Sequence, residues 1–173
     1  SLIIFMFGIY AIIIRRSKRW VLVPAITGLV YLLISFKVII PYFNKGEYIF
    51  TSYYAVLGKD VPEIIRNVLS HPVAFLRFVF SPPKQDYLFH LFAPLSFASL
   101  LSPLPLLMAL PTFAENLLSG YGPLYNIYYY YTSPITPFIF ISSIYGVKKL
   151  LSLELIKKQY LLITFLLLSG LYM

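Results

Sequence analysis

Uncharged apolar runs alternate along this chain with short clusters of charge, and their spacing sets the elements it predicts. From Thr132 to Val147 there is no charged residue; four tyrosines, Tyr128 to Tyr131, precede the run, and Lys148 and Lys149 close it. Tyrosine rings settle at headgroup level, and lysines at span ends favour the cytoplasmic side. The run therefore predicts a membrane helix over 132–147 with Tyr128 outside and Lys148 inside. Pro134 and Pro137 fall in its first turns, where their missing N–H groups would have lacked partners anyway. Leu2 to Ile14 is apolar but shorter than the roughly 20 residues a crossing helix needs. The cluster Arg15, Arg16, Lys18, Arg19 then predicts a cytoplasmic turn, with Trp20 as an interfacial anchor. Val21 to Ile40 is long enough to span and carries one charge, Lys37, near its outer end. A lysine there extends its ammonium to the headgroups along an apolar stem; a buried functional cation is the alternative reading. Pro24 is expected in the first turn of this helix and Pro41 at its close.

Pro41 to Asp86 mixes five cations and four acids with apolar residues, which reads as an external segment. Asp60 followed by Glu63 has capping-box spacing, with Pro62 in the first turn. Ile64, Ile65, Val68 and Leu69 recur opposite Arg66 and Asn67, as on an amphipathic helix of ten residues or so. A second short helix is expected over Val73 to Phe80, terminated by Ser81-Pro82-Pro83. Both are too short to cross and are placed flat on the outer membrane surface. Tyr87 to Ser119 is apolar but interrupted by Pro94, Pro103, Pro105 and Pro111, so a hairpin is expected: Tyr87 to Leu101 in, Ser102 to Pro105 as the turn, Leu106 to Leu118 out. Broken helices at membrane depth require protein or a wet cavity over their backbone, which places this hairpin toward the interior. Gly120 and Pro123 mark a turn, and Tyr160 to Met173 begins another outward span.

These elements predict an all-α integral membrane protein, a single transmembrane domain over 1–173. About six transmembrane segments, some broken or short, fall near 1–14, 21–40, 87–101, 106–118, 132–147 and 160–173. The external loop 41–86 carries two amphipathic surface helices. Arg15–Arg19 and Lys148–Lys158 are cytoplasmic in this reading. The chain opens without methionine inside an apolar run and ends inside another, so it reads as a piece of a longer protein.

Composition supports lipid as the solvent: 60% of residues are hydrophobic and 12% charged, with a mean hydropathy of +0.81, too little polar surface to cover a soluble globule of this size. The net charge of +8 sits in short clusters at the ends of apolar runs, which fits orientation in a membrane and not nucleic-acid binding. Membrane lipid is therefore the partner expected. Cysteine is absent, which excludes disulfides and thiolate metal sites; no basic region precedes the first apolar run, so it is not read as a cleavable leader.

Candidate chemistry is sparse. Asp86 and His90 lie four apart and share one helix face. They fit either a carboxylate orienting an imidazole for proton transfer or metal binding or an interfacial pair that satisfies itself. An Asp-x-x-x-His pair without further ligands is a weak metal signal. Glu115, near the outer end of the second hairpin arm, is a candidate as an ionisable residue within a span, or it reaches external water.

Three runs in order resemble a family of predicted prokaryotic membrane proteins of unknown function: YYAVLGKDVPEIIRNVLSHP from Tyr53, PLLMALPTFAENLLS from Pro105, and YYTSPITPFIFISSIYGVKKL from Tyr130. Together they cover roughly 41–150. Where that family usually has a histidine-tyrosine pair, this chain has Tyr130 and Tyr131. The family in turn resembles the multi-pass GT-C glycosyltransferases. That resemblance implies a lipid-linked sugar as substrate, a divalent metal as cofactor, and a catalytic acid in a first external loop outside this chain. Asp86, His90 and Glu115 are then the catalytic candidates within it. Arg66, Arg77 and Lys84 would receive a lipid phosphate, since cations at headgroup level pair with phosphate, while Tyr130 and Tyr131 would line the substrate site. The alternative is a non-catalytic structural subunit that packs against other membrane subunits; a transporter fits less well, because the polar residues lie near the span ends.

Overall fold

The computed structural model describes residues 2–43, 49–152, and 160, 164, 167, 169 and 170. All elements among the described residues are helical. Leu2–Ile13 forms α1. A turn through Arg15, at φ 54°, reverses the chain into α2, Lys18–Ile34. This continues without a break through a π-helical turn, Ser35–Ile39, into α3, Ile40–Phe43. The α1–α2 pair meets at glycines: a Cβ on Gly8 would stand 2.8 Å from the Val21 carbonyl oxygen, and one on Gly28 would collide with the Phe5 backbone nitrogen. Small residues that let backbones approach this closely are the usual seam between helices in lipid.

Two proline expectations are corrected here. Pro24 lies inside α2, because the helix begins three residues before Val21. Pro41 does not close the helix; it sits within α3, after the π turn. A proline has no N–H and crowds the carbonyl one turn back. The wider turn, in which the Ile40 N–H bonds the Ser35 carbonyl, makes the room that lets the helix continue. Lys37 lies in this turn with its side chain exposed.

The segment 41–86 follows the helical pattern expected of it, apart from 44–48, which lie outside the described residues. Val61–Ser70 (α4) has Asp60 as its N-cap, accepting the Glu63 N–H at 2.8 Å. The Glu63 carboxylate reaches back to the Lys59 N–H at 2.8 Å, one residue earlier than the standard box. Pro72–Val79 forms α5. Ser81-Pro82-Pro83 ends it but also starts α6, Pro82–Phe92, since proline suits a first helical turn.

The predicted hairpin is more broken than its prolines alone implied. Instead of two helical arms around a four-residue turn, α6 gives way to three 3-10 stretches, Ala93–Leu95, Ala98–Leu101 and Leu104–Ala109, before α7, Leu110–Leu118. Ser96 and Phe97, at φ 50° and 56°, turn the chain where no proline stands. This irregular backbone is covered. Phe92, Leu106, Met108, Ala109 and Phe113 form the core with Ile135, Phe138 and Ile139. Thr136–Ser152 (α8) lies along 98–102, so close that a Cβ on Gly146 would collide with the Ala98 carbonyl. Buried Ser142 places its hydroxyl 2.8 Å from the Ser99 carbonyl and beside that of Ser102, and Lys149 Nζ donates to Leu101 O at 3.4 Å. Serine and lysine thus serve carbonyls that no regular helix satisfies.

Among the described residues one helix, Lys18–Phe43, is long and apolar enough to cross a membrane, and 6% of its most apolar stretch is buried. Leu2–Ile13 and Leu104–Leu118 are apolar but shorter. The run expected as a span over 132–147 becomes helical at Thr136 and continues past its lysines to Ser152; most of 160–173 lies outside the described residues.

Candidate functional site

Two clefts gather five of the residues that the sequence singled out: Asp86 and His90 in one, Glu115, Tyr130 and Tyr131 in the other. The first forms where α6 faces the stretch 122–129. Asp86 and His90, one turn apart on α6, meet as predicted: His90 Nδ1 lies 3.2 Å from Asp86 Oδ1 and 2.8 Å from the Asp86 carbonyl oxygen. Both are acceptor oxygens, so His90 Nδ1 faces them as a donor. Opposite them, Gly122–Tyr125 turns as a 3-10 helix, and Asn126 Oδ1 accepts the Tyr128 N–H at 2.9 Å, the local bond by which asparagine stabilises a turn. The cleft measures about 440 Å³ and is walled by Asp86, His90, Tyr125, Asn126, Tyr128 and Tyr129.

Behind this cleft α6 is fastened to α7. Tyr87 and Asn116 are both buried, and Asn116 Nδ2 donates to the Tyr87 hydroxyl at 3.0 Å. Lys84 is 1% exposed. Its ammonium donates to the Leu117 carbonyl at 2.6 Å, lies 3.3 Å from the centroid of the Phe78 ring and 5.2 Å from that of Tyr125. The carbonyl end of α7 and the ring faces both favour a cation. Burial outweighs them and pulls the lysine down to about 8 from its usual 10.5.

The second cleft, about 650 Å³, opens around Glu115. From α7 it takes Thr112 and Glu115, from the stretch before α4 Tyr53 and Tyr54, and from 130–134 Tyr130, Tyr131 and Ser133. Its other wall is apolar: Leu2 and Ile3 of α1, with Phe36 and Ile40 on the long helix. The Tyr54 hydroxyl donates to the Glu115 carbonyl at 3.3 Å. Burial, and then the Glu115 charge, raises the Tyr54 phenol above its usual range. Tyr53 stacks on Tyr121 with centroids 4.5 Å apart and accepts the Gly120 N–H at 2.7 Å through its carbonyl, so the tyrosine pair is held in place by the 119–121 turn. The Tyr131 phenol is pushed up to about 12, chiefly by its hydrogen bond with Tyr130.

The sequence candidates therefore divide. Glu115, Tyr130 and Tyr131 share one cleft; Asp86 and His90 share the other. Lys84, expected at the surface, is turned inward, and neither Arg66 nor Arg77 lines either cleft. Both arginines are exposed, Arg66 at 4.0 Å from Glu63. Tyr53, Tyr54 and Thr112 were not singled out. The tyrosine pair was visible in the first of the three matching runs, but nothing in its spacing tied it to Glu115. Among the described residues no three histidine, aspartate or glutamate side chains gather as a metal would require, so no chemistry is assigned to a metal here.

Comparison with curated proteins and with solved structures finds no match. One family model, described as Predicted membrane protein (DUF2079), matches residues 1–173. On that match over the full sequence, with a long apolar helix whose surface is left uncovered, the chain belongs to this family of predicted membrane proteins of unknown function.

Proposed function

We propose that the chain is part of a multi-pass membrane enzyme of the GT-C type, with about six membrane segments, that transfers a sugar from a polyprenyl-phosphate carrier at the outer face. The observation that carries this reading is the two-sided character of the Glu115 cleft. One wall is aliphatic and aromatic and includes Phe36 of the exposed, apolar long helix; the other presents a carboxylate, tyrosines and hydroxyls. An amphiphile with a hydrocarbon tail and a polar head matches both walls at once, whereas a water-soluble substrate would leave the apolar wall unsatisfied.

In this reading Glu115 is the general base. It takes the proton of an acceptor hydroxyl as that oxygen bonds to the anomeric carbon, while the bond to the carrier phosphate breaks and polyprenyl phosphate leaves. Tyr130 and Tyr131 line the sugar's path, and Arg66 and Arg77, at headgroup level, hold carriers close to the protein. Positioned base catalysis contributes typically 10²- to 10⁴-fold. Glu115→Gln in the full-length protein, reconstituted in liposomes with radiolabelled polyprenyl-phosphate hexoses, is expected to lower transfer at least about 100-fold, with Asp86→Asn costing much less. Unchanged transfer in both variants removes both acids from the role.

A non-catalytic subunit is the second reading, favoured by the exposed rings at the rim, Tyr128 and Tyr130 at 88% and 73% exposed. Such rings are packing surface for another membrane chain. Co-purification of a stoichiometric partner that is lost on Tyr128→Ala, with no transfer by any variant, is the result that selects it.

A further inference from the structure

A third hollow, distinct from both clefts, lies between α1 and α2 beside the Arg15–Arg19 turn, with a volume of about 650 Å³. One wall is Ile4, Phe7, Ala11 and Ile14, at the three- and four-residue spacing that keeps side chains on one helix face. Trp20, Val23 and Thr27 form the other, and Arg16, in the turn that joins the two helices, lines the hollow with them. The glycine seam at Gly8 and Gly28 closes the floor, so a guest lies along the helix pair and not between the two backbones. From Ile4 to Ile14 the groove runs about 15 Å at 1.5 Å per residue. That is about half of a 30 Å hydrocarbon core, the depth of one leaflet.

Charge selects the occupant. Up to Phe43 the chain has no acid, while Arg15, Arg16, Lys18 and Arg19 crowd one end of the groove. Trp20, 68% exposed, stands beside them as a ring at the interface does. We infer that this groove is a binding site for one anionic phospholipid of the surrounding bilayer, an acyl chain along the apolar walls and the phosphate against Arg16. A guanidinium pairs with phosphate through two parallel N–H donors, and basic hollows between membrane helices suit anionic headgroups. A zwitterionic lipid brings its own cation into the same cluster and is disfavoured there.

The test is native mass spectrometry of the full-length protein released from nanodiscs of phosphatidylcholine containing phosphatidylglycerol. Wild type retains phosphatidylglycerol in preference to phosphatidylcholine. Arg16→Gln lowers that preference roughly five-fold, the effect of one cation near an anionic surface, and Arg16→Lys, which keeps the charge without the paired donors, restores only part of it. Thr27→Phe, placed on the exposed wall so that the helix pair still packs, fills the groove and lowers retention of both lipids, with unchanged circular dichroism as the check on folding. Equal retention of the two lipids by wild type overturns the site. So does a Thr27→Phe variant that keeps wild-type retention, because the basic cluster then acts as a diffuse surface charge.

Discussion

Lys84 shows how far one residue can depart from what its neighbourhood in the sequence suggests. It follows two prolines in a mixed-charge segment, where a lysine is ordinarily solvated, yet its ammonium is enclosed by Phe78, Tyr125 and the end of α7. Burial pulls it down to about 8 from 10.5, so between those values the unfolded chain holds more protons than the folded one. Stability must then rise with pH through that window. Above pH 10 Tyr54, held protonated by burial, works in the opposite direction and ends the rise. Thermal unfolding in detergent between pH 8 and 10 is expected to show this increase in wild type and a flat profile in Lys84→Met. Asp60 is the contrasting case. Its role was legible because capping is local, needing only an acceptor before the helix and N–H groups within three residues. Asp60→Ala is expected to cost about 1 kcal/mol, read as faster amide exchange over Val61–Ser70 with little change in α8.

At the scale of elements, legibility followed the same division between local and distant causes. The α4 helix, the start of α5 near Pro72 and the turn at 119–123 rest on caps, prolines and glycines in immediate sequence. The π turn at Ser35–Ile39 makes room for Pro41, a residue that the sequence alone reads as a helix stop, and the contact of α8 with 98–102 depends on partners far away in the chain. No periodicity in one window announces a serine that serves carbonyls some 40 residues earlier. Nor did the prolines reveal that Gly146 is required by its partner: they mark where a helix stops, not what crosses it. Gly146→Val would press a branched side chain into the Ala98 carbonyl. Overpacking of this kind costs typically 1–3 kcal/mol, and the obstacle here is backbone, which gives least. The variant is expected to melt at lower temperature and to lose protection at 98–102 before α1 or α2 is affected.

For the whole molecule, the apolar composition and the clustered cations identified a membrane protein before any helix was placed. The family match over 1–173 bears this out, and among the described residues Lys18–Phe43 is the helix long and apolar enough to cross. The candidate residues were legible as individuals but not as groups: spacing joined Asp86 to His90 within one helix, whereas Glu115 met Tyr54 and Tyr130 only through the fold. The proposed six-segment topology makes a strict demand, that Arg16 and Lys149 face the same compartment. The sequence contains no cysteine, which allows single cysteines introduced at these two positions to be labelled cleanly in sealed vesicles. Both are expected to react from the inner side with a membrane-impermeant maleimide; labelling from opposite sides would invert half of the topology.

The widened turn before Pro41 has a mechanical consequence. A helix that slackens at Ser35–Ile39 and then meets a residue without an amide donor has a joint about three-quarters of the way along its length. Phe36 and Ile40, both on the wall of the Glu115 cleft, belong to that joint. Any bending of the long helix is therefore felt first as a change in the width of the opening through which a lipid tail would slide.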